Sequence, residues 1–124
     1  MAEIGSRFNC NAVAFGKPFG VDIVCERGGL GQSLGIIETV PGPLASHSEI
    51  RIRRDKLNKA VELCNSIAHC KTYVGLPLML FIKAEDGCYW IKLDCSLPYE
   101  VSFIESQPVG YYEYAIPTSD AKRF

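Results

Sequence analysis

The chain has 124 residues, of which 48% are hydrophobic and 22% are charged, and its net charge at pH 7 is −1. This length supports one domain with a single core, and the near-neutral charge excludes the global attraction for nucleic acid that a strongly basic protein has. No apolar run approaches the ~20 residues of a transmembrane helix, and the first residues lack the apolar segment of a secretory signal. The sequence therefore predicts an intracellular protein with no membrane partner.

The N-terminal half is predicted to consist of short strands joined by glycine-containing turns. Residues 1–8 are expected to form a loose arm, and apolar residues alternate with polar ones at 21–25, which is typical of a half-buried strand. The glycine-rich stretch 28–31 is similar in composition to a phosphate-binding loop. Such a loop opens a helix, whereas residues 34–40 are rich in β-branched types and indicate a strand. We therefore expect a hairpin here and no nucleotide site.

One dominant helix is predicted at Asp55–Cys70, directly after a strand at Glu49–Arg53 that has one charged face. Apolar residues recur in this segment at the spacing of one face of a helix with ~3.6 residues per turn. The carboxylate of Asp55 is expected to cap the first turn. The predicted buried stripe comprises Leu57, Ala60, Val61, Cys64, Ile67 and Ala68.

The C-terminal half is predicted to begin with a β-hairpin. A strongly apolar strand at 78–84 is followed by a tight turn and by alternating residues at 89–93. A glycine in the turn supplies the positive φ that short hairpin loops need. Two further strands are expected, at 99–103 and 111–116.

These elements predict the fold class. We expect an α+β domain with an antiparallel sheet of about seven to nine short strands and one dominant helix. The domain spans residues 1–124, and residues 118–124 are expected to form a flexible tail.

The six cysteines favour free thiols over disulfides. None of them has C-x2-C spacing, and in an intracellular protein such cysteines stay reduced and mostly buried. A zinc site is conceivable, but the candidates lack the compact paired spacing of structural zinc sites, so we expect no metal and no cofactor. The four candidate ligands are Cys64, His69, Cys70 and Cys88.

Catalytic motifs are weak in this sequence. Nucleophilic catalysis needs a base within reach of an activated serine or cysteine, and the chain has only two histidines. His69 and Cys70 are neighbours on the predicted helix, where successive side chains point about 100° apart, and His47 lies in a loop. We therefore expect a protein that is not an enzyme, and an enzyme with an unrecognised cysteine site is the third alternative.

A cluster of basic residues surrounds the predicted start of the helix. Two arginines share one face of the preceding strand, and two lysines lie about one turn apart on the helix. Lys and Arg bind phosphate without sequence preference, so this pattern predicts non-specific contact with duplex DNA. The alternative is a solvated face, partly neutralised by Asp55 and Glu62. The candidate DNA-binding residues are Arg51, Arg53, Arg54, Lys56, Lys59 and Lys71.

Taken in order, these elements resemble the C-terminal domain of eukaryotic-type sliding clamps, the proliferating cell nuclear antigen family. The likeness begins at Gly20-Val21 and continues through residues 28–31, which are similar to a Gly-x-Leu-Gly turn of the clamps. It includes the strand and helix at 49–60. It ends with 97–99, similar to a Val-Pro-Leu step, and 110–117, similar to a Tyr-Tyr-Leu-Ala-Pro ending.

The resemblance implies a non-catalytic, clamp-like module that tethers or encircles DNA and recruits replication or repair proteins, in the nucleus if the cell is eukaryotic. Clamps close rings of six domains, so a one-domain chain is expected to form a homo-oligomer. The implied partner-binding pocket consists of Leu97, Pro98, Ala115, Ile116 and Pro117. The alternative is a small intracellular inhibitor, of phage or bacterial type, that sequesters a protein or a small ligand.

Overall fold

The computed structural model describes residues 2–14, 21–28, 30–69, 74–93, 99–103 and 112–124. These contain the helices α1 (Ala2–Phe8) and α2 (Arg54–Ser66) and single 3-10 turns at Leu44–Ser46 and Thr118–Asp120. The strands are β1 (Asn11–Ala14), β2 (Ile23–Arg27), β3 (Leu30–Thr39), β4 (Glu49–Arg53), β5 (Ala68–His69), β6 (Val74–Gly75), β7 (Leu78–Ala84), β8 (Gly87–Leu93), β9 (Glu100–Phe103), β10 (Tyr112–Pro117) and β11 (Lys122–Arg123).

The strands form a large sheet of order β1-β2-β3-β7-β8-β11, a small sheet of order β4-β10-β9, and the pair β5-β6. The predicted α+β class is confirmed, with a six-stranded sheet as its largest part. The expectation of a purely antiparallel sheet is wrong at one place, because β3 and β7 are parallel. Parallel strands require a long crossover, and the chain between β3 and β7 supplies one through β4 and α2.

Both predicted hairpins are confirmed. Strands β7 and β8 pair around a two-residue turn, and Gly87, which follows that turn, has a φ of 142°. Strands β2 and β3 pair from Arg27 and Leu30 outward, and Gly28 in their connection has a φ of 59°. The glycine-rich stretch thus joins two strands, which excludes the helix N-terminus that a phosphate-binding loop needs.

Helix α2 buries four of the six residues of the predicted stripe, and it differs from the prediction at both ends, so that Ile67 and Ala68 lie beyond it. Asp55 is not the N-cap residue, which is Arg53, and the exposed Asp55 carboxylate instead accepts two hydrogen bonds from the Arg53 guanidinium. The helix ends at Ser66, before the predicted end, because Ala68–His69 leave it to pair with β6. The buried residues of α2 are Leu57, Ala60, Val61 and Cys64.

Helix α2 shares the main core with the large sheet and the small sheet. The period of two along each strand decides which side chains enter this core. The central strands β3 and β7 supply its middle, and β4 and β10 close it from the small sheet. Side chains in this core with no measurable exposure are Leu34, Ile36, Leu57, Ala60, Cys64, Leu78, Leu80 and Ile116.

A second core lies on the opposite face of the large sheet, beneath α1. The buried side chain of Ile4 and the ring of Phe8 pack there, and the Phe8 ring centroid lies 5.6 Å from that of Phe81 and 5.5 Å from that of Trp90. Residues 2–8 are therefore not the loose arm that the sequence predicts. The apolar face of this short helix is stabilised by aromatic residues that are distant in sequence.

The predicted flexible tail at 118–124 is also ordered. Strand β11 pairs with β8, and the Arg123 Nη2 donates a hydrogen bond of 2.6 Å to the backbone oxygen of Asp86. The Phe124 ring centroid lies 5.8 Å from that of Phe8. The segment is mostly polar, but its aromatic residue, Phe124, packs against Phe8 and holds it in place.

Within the described ranges, neither helix has the length and apolarity that are required to cross a bilayer.

Candidate nucleic-acid interface

The strand β4 directs its two arginines away from the core. Ile50 and Ile52 are buried, so the alternation of the strand leaves Arg51 and Arg53 on the exposed side. Helix α2 begins at the next residue, which places the cations of its first turns beside those of the strand. Five of the six candidate DNA-binding residues thus lie on β4 or in the first turns of α2, and Lys71 lies outside the described residues.

The arginines of β4 both contact carboxylates. The Arg51 Nε lies 3.1 Å from the Glu49 Oε2, and the Arg53 guanidinium donates two hydrogen bonds, of 3.0 and 2.9 Å, to Asp55. Burial acts to raise the pKa of Asp55, but the hydrogen bonds and the positive charge of Arg53 outweigh it and hold that pKa below its ordinary value. Both pairs lie at the surface, where ion pairs stabilise a fold by only about 0–1 kcal/mol.

The cations of α2 have different surroundings. The Arg54 guanidinium lies 4.2 Å from the centroid of the Tyr112 ring, in cation–π geometry. The Lys56 Nζ lies 3.6 Å from the Asp22 Oδ2, and that oxygen also accepts a 2.7 Å hydrogen bond from the Ile37 amide. Lys59 is exposed.

The Glu38 carboxyl on β3 is a further acidic group that interacts with Lys56. Burial raises the pKa of the half-buried Glu38 carboxyl, and the charge of Lys56 partly opposes that rise. The charges of Asp22 and Glu113 add to it. The electrostatic potential around Lys56 therefore has contributions of both signs rather than being uniformly positive.

Replacing Glu38 with glutamine is expected to stabilise the protein at neutral pH. The pKa of Glu38 is higher in the folded state than in the unfolded state, so its ionisation costs stability as the pH rises through the folded value. Thermal unfolding should give a higher midpoint for Glu38→Gln than for the parent at pH 7, and a smaller difference at pH 4. Glu62→Gln, at an exposed position on α2, is the control. A lower midpoint for Glu38→Gln at pH 7 would contradict this assignment.

The predicted partner-binding residues are only partly available at the surface. Pro117 is exposed and Ala115 is half-buried, whereas Ile116 is completely buried in the main core. Ile116 therefore does not line a docking pocket, because the alternation along β10 turns it inward with Tyr114. Leu97 and Pro98 lie outside the described residues.

The residues considered for zinc binding and catalysis do not come together where they are described. Cys64 lies in the main core, whereas Cys88 lines a cavity beneath α1 with Ile4 and Phe124. His47 contacts the backbone oxygen of Pro41 at 2.6 Å. In the part of the chain that the structure describes, no group of three His, Cys, Asp or Glu residues is arranged to hold a metal ion. Cys70 lies outside that part.

No protein-family model and no curated protein matches this chain.

Proposed function

We propose that this chain is a non-catalytic, clamp-like module that binds duplex DNA without sequence preference and holds partner proteins beside it. The observation that supports this most directly is the basic surface, the group of five cations that extends from the outward side of β4 into the first turns of α2. It consists of Arg51, Arg53, Arg54, Lys56 and Lys59.

The ion pairs on this surface are compatible with phosphate binding. A guanidinium binds carboxylate and phosphate with the same two parallel hydrogen bonds, so DNA can take the place of Asp55 at Arg53. The exchange costs little, since exposed pairs of this kind contribute at most about 1 kcal/mol. The adjacent carboxylates would then weaken the complex without blocking it.

Self-association would increase the positive electrostatic potential that a single copy produces. Strands β4 and β9 are the outer strands of the small sheet, and an open strand edge readily pairs with another chain. Pairing β4 of one copy with β9 of the next is a head-to-tail contact, which closes into a ring when the rotation fits. In such a homo-oligomer the basic surfaces would repeat around the hole, and six copies would match the geometry of the clamp family.

The test is a double charge reversal, Arg53→Glu with Lys59→Glu, measured by fluorescence anisotropy of a labelled duplex over a range of salt concentrations. We expect weaker binding for every duplex sequence, and a log–log salt slope reduced by about 0.9 for each phosphate that the variant no longer neutralises. The matched control is Lys83→Glu with Lys92→Glu, which makes the same charge change at exposed positions on the α1 side of the large sheet. Equally weakened binding in the two double variants, or no binding by the parent at low salt, would exclude this function.

A second candidate is an inhibitor that sequesters a partner protein. It is favoured by the mixed charge of the same surface, where Arg51, Arg53 and Lys56 all have acidic neighbours. A protein strand that added to the edge of β4 could use those charges for specificity. Light scattering with and without duplex DNA separates the two: the inhibitor is expected to be a monomer or dimer that ignores DNA, and the clamp-like module a larger assembly that binds it.

A further inference from the structure

Two cysteine side chains lie close together on the α1 side of the large sheet. In the pairing of β1 with β2, Ala12 lies opposite Cys25, and Cys10 precedes Ala12 by two residues. Cys10 and Cys25 both belong to the second core, and Ser33 lies opposite Cys25 in the pairing of β2 with β3. The two side chains therefore lie on the same face of the sheet, diagonally across the pair β1–β2, and both cysteines are free.

The two thiols differ in exposure and in acidity. Cys25 is 2% exposed, and burial raises its pKa to about 11, while the Ser33 hydroxyl opposes this rise and Cys10 adds to it. Cys10 is half-buried and lines an open cavity of about 260 Å³, together with Asn9 and Arg27. A solvent-borne reagent thus reaches Cys10 first, because Cys25 lies behind it.

We propose that Cys10 and Cys25 form a redox-active dithiol, which closes to a disulfide by exchange with a low-molecular-weight disulfide such as oxidised glutathione. The Cys10 thiolate attacks one sulfur of glutathione disulfide, forming a mixed disulfide and releasing one glutathione thiolate. Cys25 then gives up its proton and attacks the Cys10 sulfur, which releases the second glutathione. Two protein thiols are oxidised, one glutathione disulfide is reduced, and the two protons pass to the two glutathione thiols.

The bond would fasten α1 to the sheet beneath it. In the dithiol form, the end of α1 is held by hydrogen bonds from the Arg27 side chain to the backbone oxygens of Asn9 and Phe8, at 2.9 and 3.2 Å, and by the Cys10 amide to Gly5. A disulfide from Cys10 to β2 would add a covalent attachment two residues beyond the end of α1. Oxidation would therefore lock the helix that covers the second core.

The experiment incubates the full-length protein with oxidised glutathione, blocks the remaining thiols with N-ethylmaleimide and maps the digested peptides by mass spectrometry. We expect a linked pair of peptides that contain Cys10 and Cys25. Because the closed loop is about 15 residues long, the thermal midpoint should rise by roughly 5–10 °C, and dithiothreitol should reverse this rise.

Two single variants serve as the comparison. Cys10→Ser should lose both the linked peptide and the rise in midpoint, whereas Cys88→Ser, at another half-buried thiol on the same side of the sheet, should keep both. Three results would overturn the proposal. They are a Cys10 that remains a mixed disulfide with glutathione, a disulfide between other cysteines, and a thermal midpoint that does not rise in the linked protein.

Discussion

Replacing Leu57 with alanine is expected to lower the free energy of unfolding by about 2–5 kcal/mol, the range measured for buried leucines. Leu57 is completely buried where α2 meets the two sheets, so its truncation leaves a cavity among side chains of several elements. Urea denaturation followed by circular dichroism and by Trp90 fluorescence measures the decrease. The duplex binding that we propose should weaken in proportion to the unfolded fraction, because α2 carries part of the basic surface.

The control for this experiment is Glu62→Ala on the exposed side of the same helix. Glutamate and alanine both favour helix, so we expect a change of less than about 0.5 kcal/mol. Similar decreases in the two variants would show that Leu57 does not occupy a tightly packed position.

Replacing Gly35 with alanine is expected to cost about 1–3 kcal/mol through overpacking. A Cβ atom at Gly35 would lie 2.6 Å from the Phe81 Cε2 and 2.9 Å from the Ile23 Cγ1. The Phe81 ring cannot easily retreat, because it also packs on the rings of Phe8 and Phe124. The glycine thus provides the space in which this ring lies on the sheet.

A double-mutant cycle tests the cause. The cost of Gly35→Ala should be smaller in a Phe81→Leu background, since the narrower side chain leaves room for the new methyl group. Gly31→Ala is the comparison in the same strand, because its Cβ would come no closer than 3.3 Å to the end of the Leu76 side chain. A cost for Gly35→Ala that is unchanged by Phe81→Leu would mean that the Ile23 side chain or the backbone, rather than the Phe81 ring, resists the substitution.

Local patterns predict correctly the elements whose burial is visible in their own sequence. The alternation of Ile50 and Ile52 locates β4, and the spacing of Leu57, Ala60 and Cys64 locates α2. The predictions for the two ends of the chain are wrong for a common reason. Both ends are ordered because aromatic rings contact each other in the folded protein. Phe8 supplies a ring at one end of the chain and Phe124 at the other.

Local patterns in the sequence also predict only part of the candidate interface. The cations are close together in sequence and can be identified as a cluster, and so can Asp55. Their other acidic neighbours, Asp22, Glu38 and Glu113, come from remote strands, so no local pattern associates them with the cluster. The resemblance assigns Ile116 to a surface, although the period of its own strand places it inside.

The parallel pairing of β3 with β7 also imposes an order on folding. The hairpins β2–β3 and β7–β8 connect residues that are close in sequence, so each can form within microseconds. The two hairpins can join into one sheet only after a long loop that contains β4 and α2 has closed. Closing that loop costs conformational entropy before the pairing of β3 with β7 provides any stabilisation. The segment that carries the basic surface is therefore also part of the loop that must close before the two halves of the large sheet meet.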